Sequence, residues 1–238
     1  MEAIFSKSLS QIVTDNYQTA QIFENYGLDF CCKGKRSLLS ACEEKQIDVD
    51  TILKDLDTVI KPGDHTSDFN EMSLTELSEY IIRVHHTYVK LNMPQIFNYI
   101  LRVTTKHGDQ YTFLAEVKRL FDELRKDFEE HMENEEKILF PAIRRMSLWM
   151  DESGDGSFLQ ASIDEMELEH DQAGTIMQRI RTLTNNYTVP GEVCTTFRLM
   201  LDSLRAFEED LHRHVHLENN ILFPKALLQL AKPASCSL

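Results

Sequence analysis

The residues best suited to chemistry are two imidazole–carboxylate pairs set in a repeated eleven-residue string. HMENEEKILFP runs from His131 to Pro141 and HVHLENNILFP from His214 to Pro224, both reading His-x-x-x-Glu-x-x-Ile-Leu-Phe-Pro. A four-residue spacing is about one helical turn, so each imidazole stacks with its carboxylate on one helix face. A lone pair of this kind is common on exposed helices. Two copies carrying the same apolar tail are hard to attribute to chance, and two pairs can build one metal site.

Apolar periodicity indicates where these side chains point. The stripe Val117, Leu120, Leu124, Phe128 continues in steps of three and four to His131, Glu135 and Ile138; the stripe Phe197, Leu201, Leu204, Leu211 continues to His214, Glu218 and Ile221. Both pairs are therefore expected on buried faces. An ionised carboxylate buried there without a partner would cost several kcal/mol, and a cation compensates it most simply. A third stripe, Ile163, Met166, Ala173, Met177, Ile180, passes through His170. A fourth, Ile82, Val89, Met93, Ile96, Ile100, includes His86, while His85 falls with Ile81 and Tyr88 on the adjacent face. Four imidazoles and two carboxylates suit iron, manganese or zinc better than calcium or magnesium. Six ligands exceed one tetrahedral zinc site, so two metals sharing carboxylates fit better.

Four long helices must position this set. Ser73-Leu-Thr-Glu76 has the form of a capping box and opens the first, which runs to about Lys106 and should be kinked or broken at Pro94. The second spans about Tyr111 to Met146, the third Phe158 to Thr184 and the fourth Glu192 to Leu230, with Pro141 and Pro224 bending the second and fourth near their ends. Turn signals at His107-Gly108-Asp109, Ser153 to Gly156, Asn185-Asn186 and Pro190-Gly191 separate them. Short connections predict an all-α, antiparallel four-helix bundle over residues 73–232. Ahead of it, KPGDHTSDFNEM at 61–72 reads as a linker, and residues 1–60 as a small domain of short helices. So small a core is expected to dock on its neighbour or on a second copy, which makes a homodimer an expectation.

The 238 residues carry a net charge of -14, with no basic stripe to release counterions, so nucleic acid is not an expected partner. The start MEAIFSKSLSQIV lacks a signal peptide's basic opening and long apolar middle, and no apolar run approaches the roughly 20 residues that span a bilayer. A soluble cytoplasmic protein without a membrane partner is expected. Five cysteines, two of them adjacent, do not form a secreted disulfide framework, so reduced thiols are the default. Oxidised, Cys31-Cys32 would close a strained ring, so the pair reads as a thiolate ligand or exchange site, with packing of one thiol as the plain alternative. Lys33, Lys35 and Arg36 stand close enough in sequence to lower a thiol pKa. Cys42, Cys194 and Cys236 are expected to be buried or tail thiols, and His107 a helix-end residue. His212 and His216, two residues either side of His214, are expected to face solvent. Glu169 and Asp171 are either partners of a ligand or exposed charges.

The paired strings and the MELEHDQAG segment around His170 resemble hemerythrin-type domains, and DFCCKGKRSL from Asp29 to Leu38 resembles the domain that precedes such a bundle in the Repair of Iron Centers family, the ScdA and YtfE type of iron-sulfur cluster repair protein. The resemblance covers nearly the whole chain. It implies a non-haem centre of two iron ions, oxo- or hydroxo-bridged, with His86, His131, His170 and His214 as terminal ligands and Glu135 and Glu218 as bridges. The family spacing selects His86 over His85. Each iron would then be five-coordinate, leaving a position for a small diatomic such as nitric oxide or oxygen. Oxygen carriers of the hemerythrin type use five histidines, so a four-histidine set departs from them. The implied function is repair of iron-sulfur proteins damaged by oxidative or nitrosative stress, with Cys31 and Cys32 as functional residues. A sensor or carrier of oxygen or nitric oxide is the alternative, and a ferritin-type bundle is weakened because those sites use Glu-x-x-His. The family pattern has two glycines after the cysteine pair, whereas Lys33 takes the first place here and only Gly34 remains.

Overall fold

The structure is a computed structural model that describes residues 2–60, 69–147 and 156–231. Most of the expected linker, the Ser153 loop and Cys236 lie outside the described residues. Within them the regular structure is helical, apart from one isolated antiparallel bridge between Ser8 and Ser37. The chain divides into two compact units, Met1–Leu77 with His212–Leu238, and Ser78–Leu211.

The first unit contains five short helices, α1 (Glu2–Phe5), α2 (Leu9–Asp15), α3 (Thr19–Tyr26), α4 (Leu38–Lys45) and α5 (Val49–Val59). Local capping starts them: Ser8 and Gln11 form a reciprocal capping box on α2, while Ser37 and Asp48 cap α4 and α5. Left-handed residues stop two of them, Gly27 at φ 63 and Gln46 at φ 56. Gly34 is needed for space, because a Cβ there would stand 2.1 Å from the Phe30 carbonyl oxygen and 2.8 Å from the Ser10 Cβ. Leu9, Val13, Phe23, Phe30, Leu38, Ile52 and Leu56 form the core.

The last segment of the chain completes this core. α2 packs on a π turn, π3 (Glu218–Leu222), which leads into α12 (Phe223–Leu230). His212 pairs with Glu24 at 2.7 Å, Arg213 donates to Gln21 at 2.7 Å, and Phe30 meets the His216 ring edge-on. The expected solvent exposure of His212 and His216 is thereby corrected: His216 is fully buried and His212 largely so. A single-helix reading could not anticipate that the N-terminal helices would cover this turn.

The second unit holds the bundle. α6 (Leu74–Ile81) opens with the expected capping box, Glu76 N–H donating to Ser73 Oγ at 3.2 Å and Ser73 N–H to the Glu76 carboxylate at 2.8 Å. It passes through π1 (Ile82–His86) into α7 (Thr87–His107), followed by α8 (Phe113–Asn134), π2 (Glu135–Leu139), α9 (Phe140–Ser147), α10 (Gly156–Leu183) and α11 (Thr195–Leu217). α8 packs against α7 and α10. Lys90–Glu136 near one end and Thr104–Leu114 near the other make α7 and α8 antiparallel, as His131–Glu169 and Glu116–Arg179 do for α8 and α10. His107–Cys194 and His85–Asp210 set α11 antiparallel to the first helix. The apolar stripes supply the core.

Two sequence readings change. α7 is not broken at Pro94, and a π turn, π1, interrupts the helix earlier. Ile138, expected inward, is 48% exposed, and Leu139 is buried in its place. The cause is π2: a turn widened by one residue advances the helical phase, and the repeat E-x-x-I-L spans that turn in π2 and π3 alike. After each one the Phe-Pro step begins a fresh helix, where the proline's missing N–H costs least.

Candidate metal centre

The π turns carry the carboxylates. Glu135 is the first residue of π2, one turn after His131, and His86 is the last residue of π1. Within the second unit these side chains converge. His86 Nε2 and His131 Nε2 each lie 3.3 Å from Glu135 Oε2, and His131 Nε2 faces His170 Nε2 at 3.0 Å. All four residues are buried. His131, Glu135 and His170 each present a ligand atom within 4.8 Å of the others.

The opposite ring nitrogens are held by carboxylates. His86 Nδ1 meets Glu136 Oε1 at 2.7 Å, an oxygen that also accepts from Lys90 Nζ at 2.5 Å, and His131 Nδ1 meets Glu169 Oε2 at 2.6 Å. A carboxylate at Nδ1 orients each ring with Nε2 inward, the nitrogen the ring would offer to a metal once that atom is unprotonated. Phe140 stacks on the His86 ring and Phe128 on the His131 ring, fixing both planes and excluding water. Of the two residues flanking His170, Glu169 makes this contact and Asp171 is exposed. His85, also buried, turns away to Asp210 at 3.0 Å.

Burial pushes the Glu135 carboxyl up, but the His131 and His86 imidazoles outweigh it and hold the group well below the usual carboxylate range. Neither of its oxygens accepts a hydrogen bond. A fully buried carboxylate with both oxygens open to further bonding, ringed by imidazole Nε2 atoms, fits a transition-metal cation in donor type and in charge.

The second copy of the repeat lies in the first unit. His214 Nε2 and Glu218 Oε1 are 2.9 Å apart, both are fully buried, and Glu218 again begins a π turn.

Cys31 and Cys32 are free thiols with their sulfurs 3.7 Å apart. Asp29 Oδ1 organises the turn, accepting from the N–H groups of Cys31, Cys32 and Lys33 at 3.1, 3.0 and 3.2 Å and from the Cys31 thiol at 3.3 Å. The expected lowering of the thiol pKa by neighbouring bases is corrected for Cys31. Its hydrogen bond to Cys32, its burial and the Asp29 charge together push it well above the ordinary thiol value. Lys33 and Lys35 point to solvent, and Arg36 pairs with Glu44. Asn220, in π3, donates to the Cys31 carbonyl at 3.2 Å.

Sequence reasoning missed Glu136, Lys90 and Asp29. On a regular helix Glu136 lies about 100° around from Glu135, so spacing from the ligand pair does not point to its contact with His86. Asp29 carried a legible signal, an Asx residue two positions before a turn.

The chain is similar to known proteins over nearly its whole length. The hemerythrin HHE cation binding domain model matches residues 78–226, and the ScdA_N model, a domain of unknown function, matches residues 5–60. The iron-sulfur cluster repair protein ScdA of Staphylococcus haemolyticus is 30% identical over 217 residues, 91% of this chain and 96% of its own. The iron-sulfur cluster repair protein YtfE of Yersinia pseudotuberculosis is 33% identical over 226 residues, 93% and 97% of the two chains. Its Escherichia coli counterpart is 32% identical over 219 residues, 92% and 96%. Among the described residues no helix is long and apolar enough to cross a membrane.

Proposed function

Because the chain belongs to the hemerythrin HHE cation-binding family, with an ScdA_N domain ahead of its bundle, we propose that it repairs iron-sulfur clusters damaged by oxidative or nitrosative stress, using a non-haem di-iron centre. His86, His131, His170 and His214 would hold two iron ions, with Glu135 and Glu218 as the bridging carboxylates. The observation that carries this reading is Glu135, buried, held ionised and accepting no hydrogen bond, with two imidazole Nε2 atoms 3.3 Å from one of its oxygens. His214 and Glu218 join the set because they repeat its spacing, its burial and its π turn. Iron held there would supply a centre able to exchange electrons and to take up nitric oxide or oxygen.

The protein's own groups have distinct parts in this proposal. Glu136 and Glu169 keep the His86 and His131 rings oriented through Nδ1, Lys90 neutralises Glu136, and Phe128 and Phe140 keep the rings dry. Cys31 and Cys32 serve as the exchange site facing a damaged iron-sulfur protein. Cys31 must give up its proton to act, and Asp29, already on its sulfur, is placed to take it. A cytoplasmic setting and a homodimer belong to the same reading.

The test uses anaerobically purified full-length protein and an iron-sulfur hydro-lyase inactivated by nitric oxide. Addition of the protein is expected to restore hydro-lyase activity. The combined Cys31→Ser and Cys32→Ser variant should keep its iron and lose reactivation. Wild-type protein that binds iron yet restores nothing, or a double variant as active as wild type, would count against the proposal, and the second result would favour a carrier.

A further inference from the structure

At the end of the bundle where α7 stops and α11 starts, His107 and Cys194 face one another. His107 is the last residue of α7, and Cys194 immediately precedes the 23 residues of α11. Their side chains meet at 3.2 Å, Nε2 to Sγ, across a sequence separation of 87 residues. Phe197 packs edge-on against the imidazole with ring centres 5.7 Å apart, Tyr111 lies 6.4 Å away, and the Tyr111 hydroxyl is anchored on the Pro190 carbonyl at 3.1 Å. The ring is thus held with Nε2 aimed at sulfur.

This cluster is separate from the metal-ligand set, since the 21 residues from His86 to His107 correspond to about 30 Å of helix. It also differs from Cys31 and Cys42. Cys31 hydrogen-bonds to a carboxylate and to its neighbour's sulfur, and Cys42 is buried; both are pushed toward the unreactive protonated form. Cys194 is only part-buried and its sulfur contacts an imidazole. A nucleophile in hydrogen-bond reach of an imidazole oriented by further groups is the arrangement that activates thiols.

We propose that Cys194 and His107 form a second reactive site, at which hydrogen peroxide oxidises the Cys194 sulfur to a sulfenic acid with His107 as the base. The sulfur gives an electron pair to one peroxide oxygen, so an S–O bond forms as the O–O bond breaks. The thiol proton passes to His107 Nε2 and on to the departing hydroxide, which leaves as water. Sulfur is oxidised by two electrons and peroxide is reduced by the same two.

The test treats the iron-loaded full-length protein with hydrogen peroxide in the presence of dimedone and maps adducts to each cysteine by peptide mass spectrometry. Cys194 is expected to be trapped faster than free glutathione under the same conditions, and His107→Gln to slow trapping at least about tenfold with an unchanged thermal midpoint. Equal trapping in His107→Gln and wild type overturns the proposal. Should that variant lose thermal stability, the wild-type comparison decides: Cys194 slower than glutathione reads as a packed thiol and also overturns it.

Discussion

Glu135 shows how a single side chain can hold the argument for a site. It is fully buried and held below the usual carboxylate range by two imidazoles, so an apolar replacement of similar or smaller size removes a proposed ligand. Glu135→Ala is therefore expected to reduce bound iron to one ion or fewer per chain while the far-ultraviolet circular dichroism of the helices stays unchanged; two irons retained on metal analysis would refute its role as a bridge. That His131 and Glu135 share a buried face was legible from spacing, because residues four apart on an apolar stripe are carried inward together. What spacing concealed were residues that would act through a proposed ligand. Glu136 and Lys90 belong to surface patterns in a linear reading, and only three-dimensional packing aims them at His86. The opposite error arose at Cys31, where sequence proximity of lysines suggested a lowered pKa and the folded turn instead placed Asp29 on the sulfur.

Helix boundaries and core stripes were read correctly, since capping boxes and apolar periods are local properties. The phase of the helix ends was not, because one extra residue in a turn leaves no mark on composition, and Ile138 traded places with Leu139 in consequence. Left-handed residues were equally silent. Asn185, Asn186 and Tyr187 stand consecutively at φ 48, 55 and 57, anchored by the Tyr187 hydroxyl on Glu208 at 2.9 Å and by Arg181 on the same carboxylate at 2.7 Å. Burial, with the Glu208 charge beside it, pushes the Tyr187 phenol well above its ordinary pKa, so this anchor stays protonated. Where no such anchor exists the strain can be relieved. Gln46 ends α4 at φ 56 on the surface, its N–H bonded to the Cys42 and Glu43 carbonyls. Gln46→Gly should stabilise the protein by about 0.5–1 kcal/mol, net of the greater freedom glycine has when unfolded. Calorimetry showing no gain, or a loss, would mean that the glutamine side chain makes a compensating contact.

Over the molecule as a whole, metal affinity and folding must be linked. Ligands come from distant parts of the sequence, His86 to Glu218, and in the proposed centre they assemble only when the chain is folded, so binding energy becomes folding energy. Saturation at about 1,000 times the dissociation constant contributes about 4 kcal/mol, which for a chain of this length moves the thermal midpoint by about 8–16 °C. Scanning calorimetry before and after anaerobic chelation should show a fall of that order, restored by ferrous iron; coincident traces would contradict the linkage. The three π turns place a further condition on this chain's history. Each can be viewed as an ordinary helix that accepted one codon too many, in the second and fourth helices beginning at the carboxylate of a proposed ligand pair. Loss of that codon would return a tidier and more stable helix while swinging its downstream face away from the site. Selection for stability alone would not favour these insertions, and their occurrence at matching places in both copies of the repeat is what a duplicated motif kept for its chemistry would leave behind.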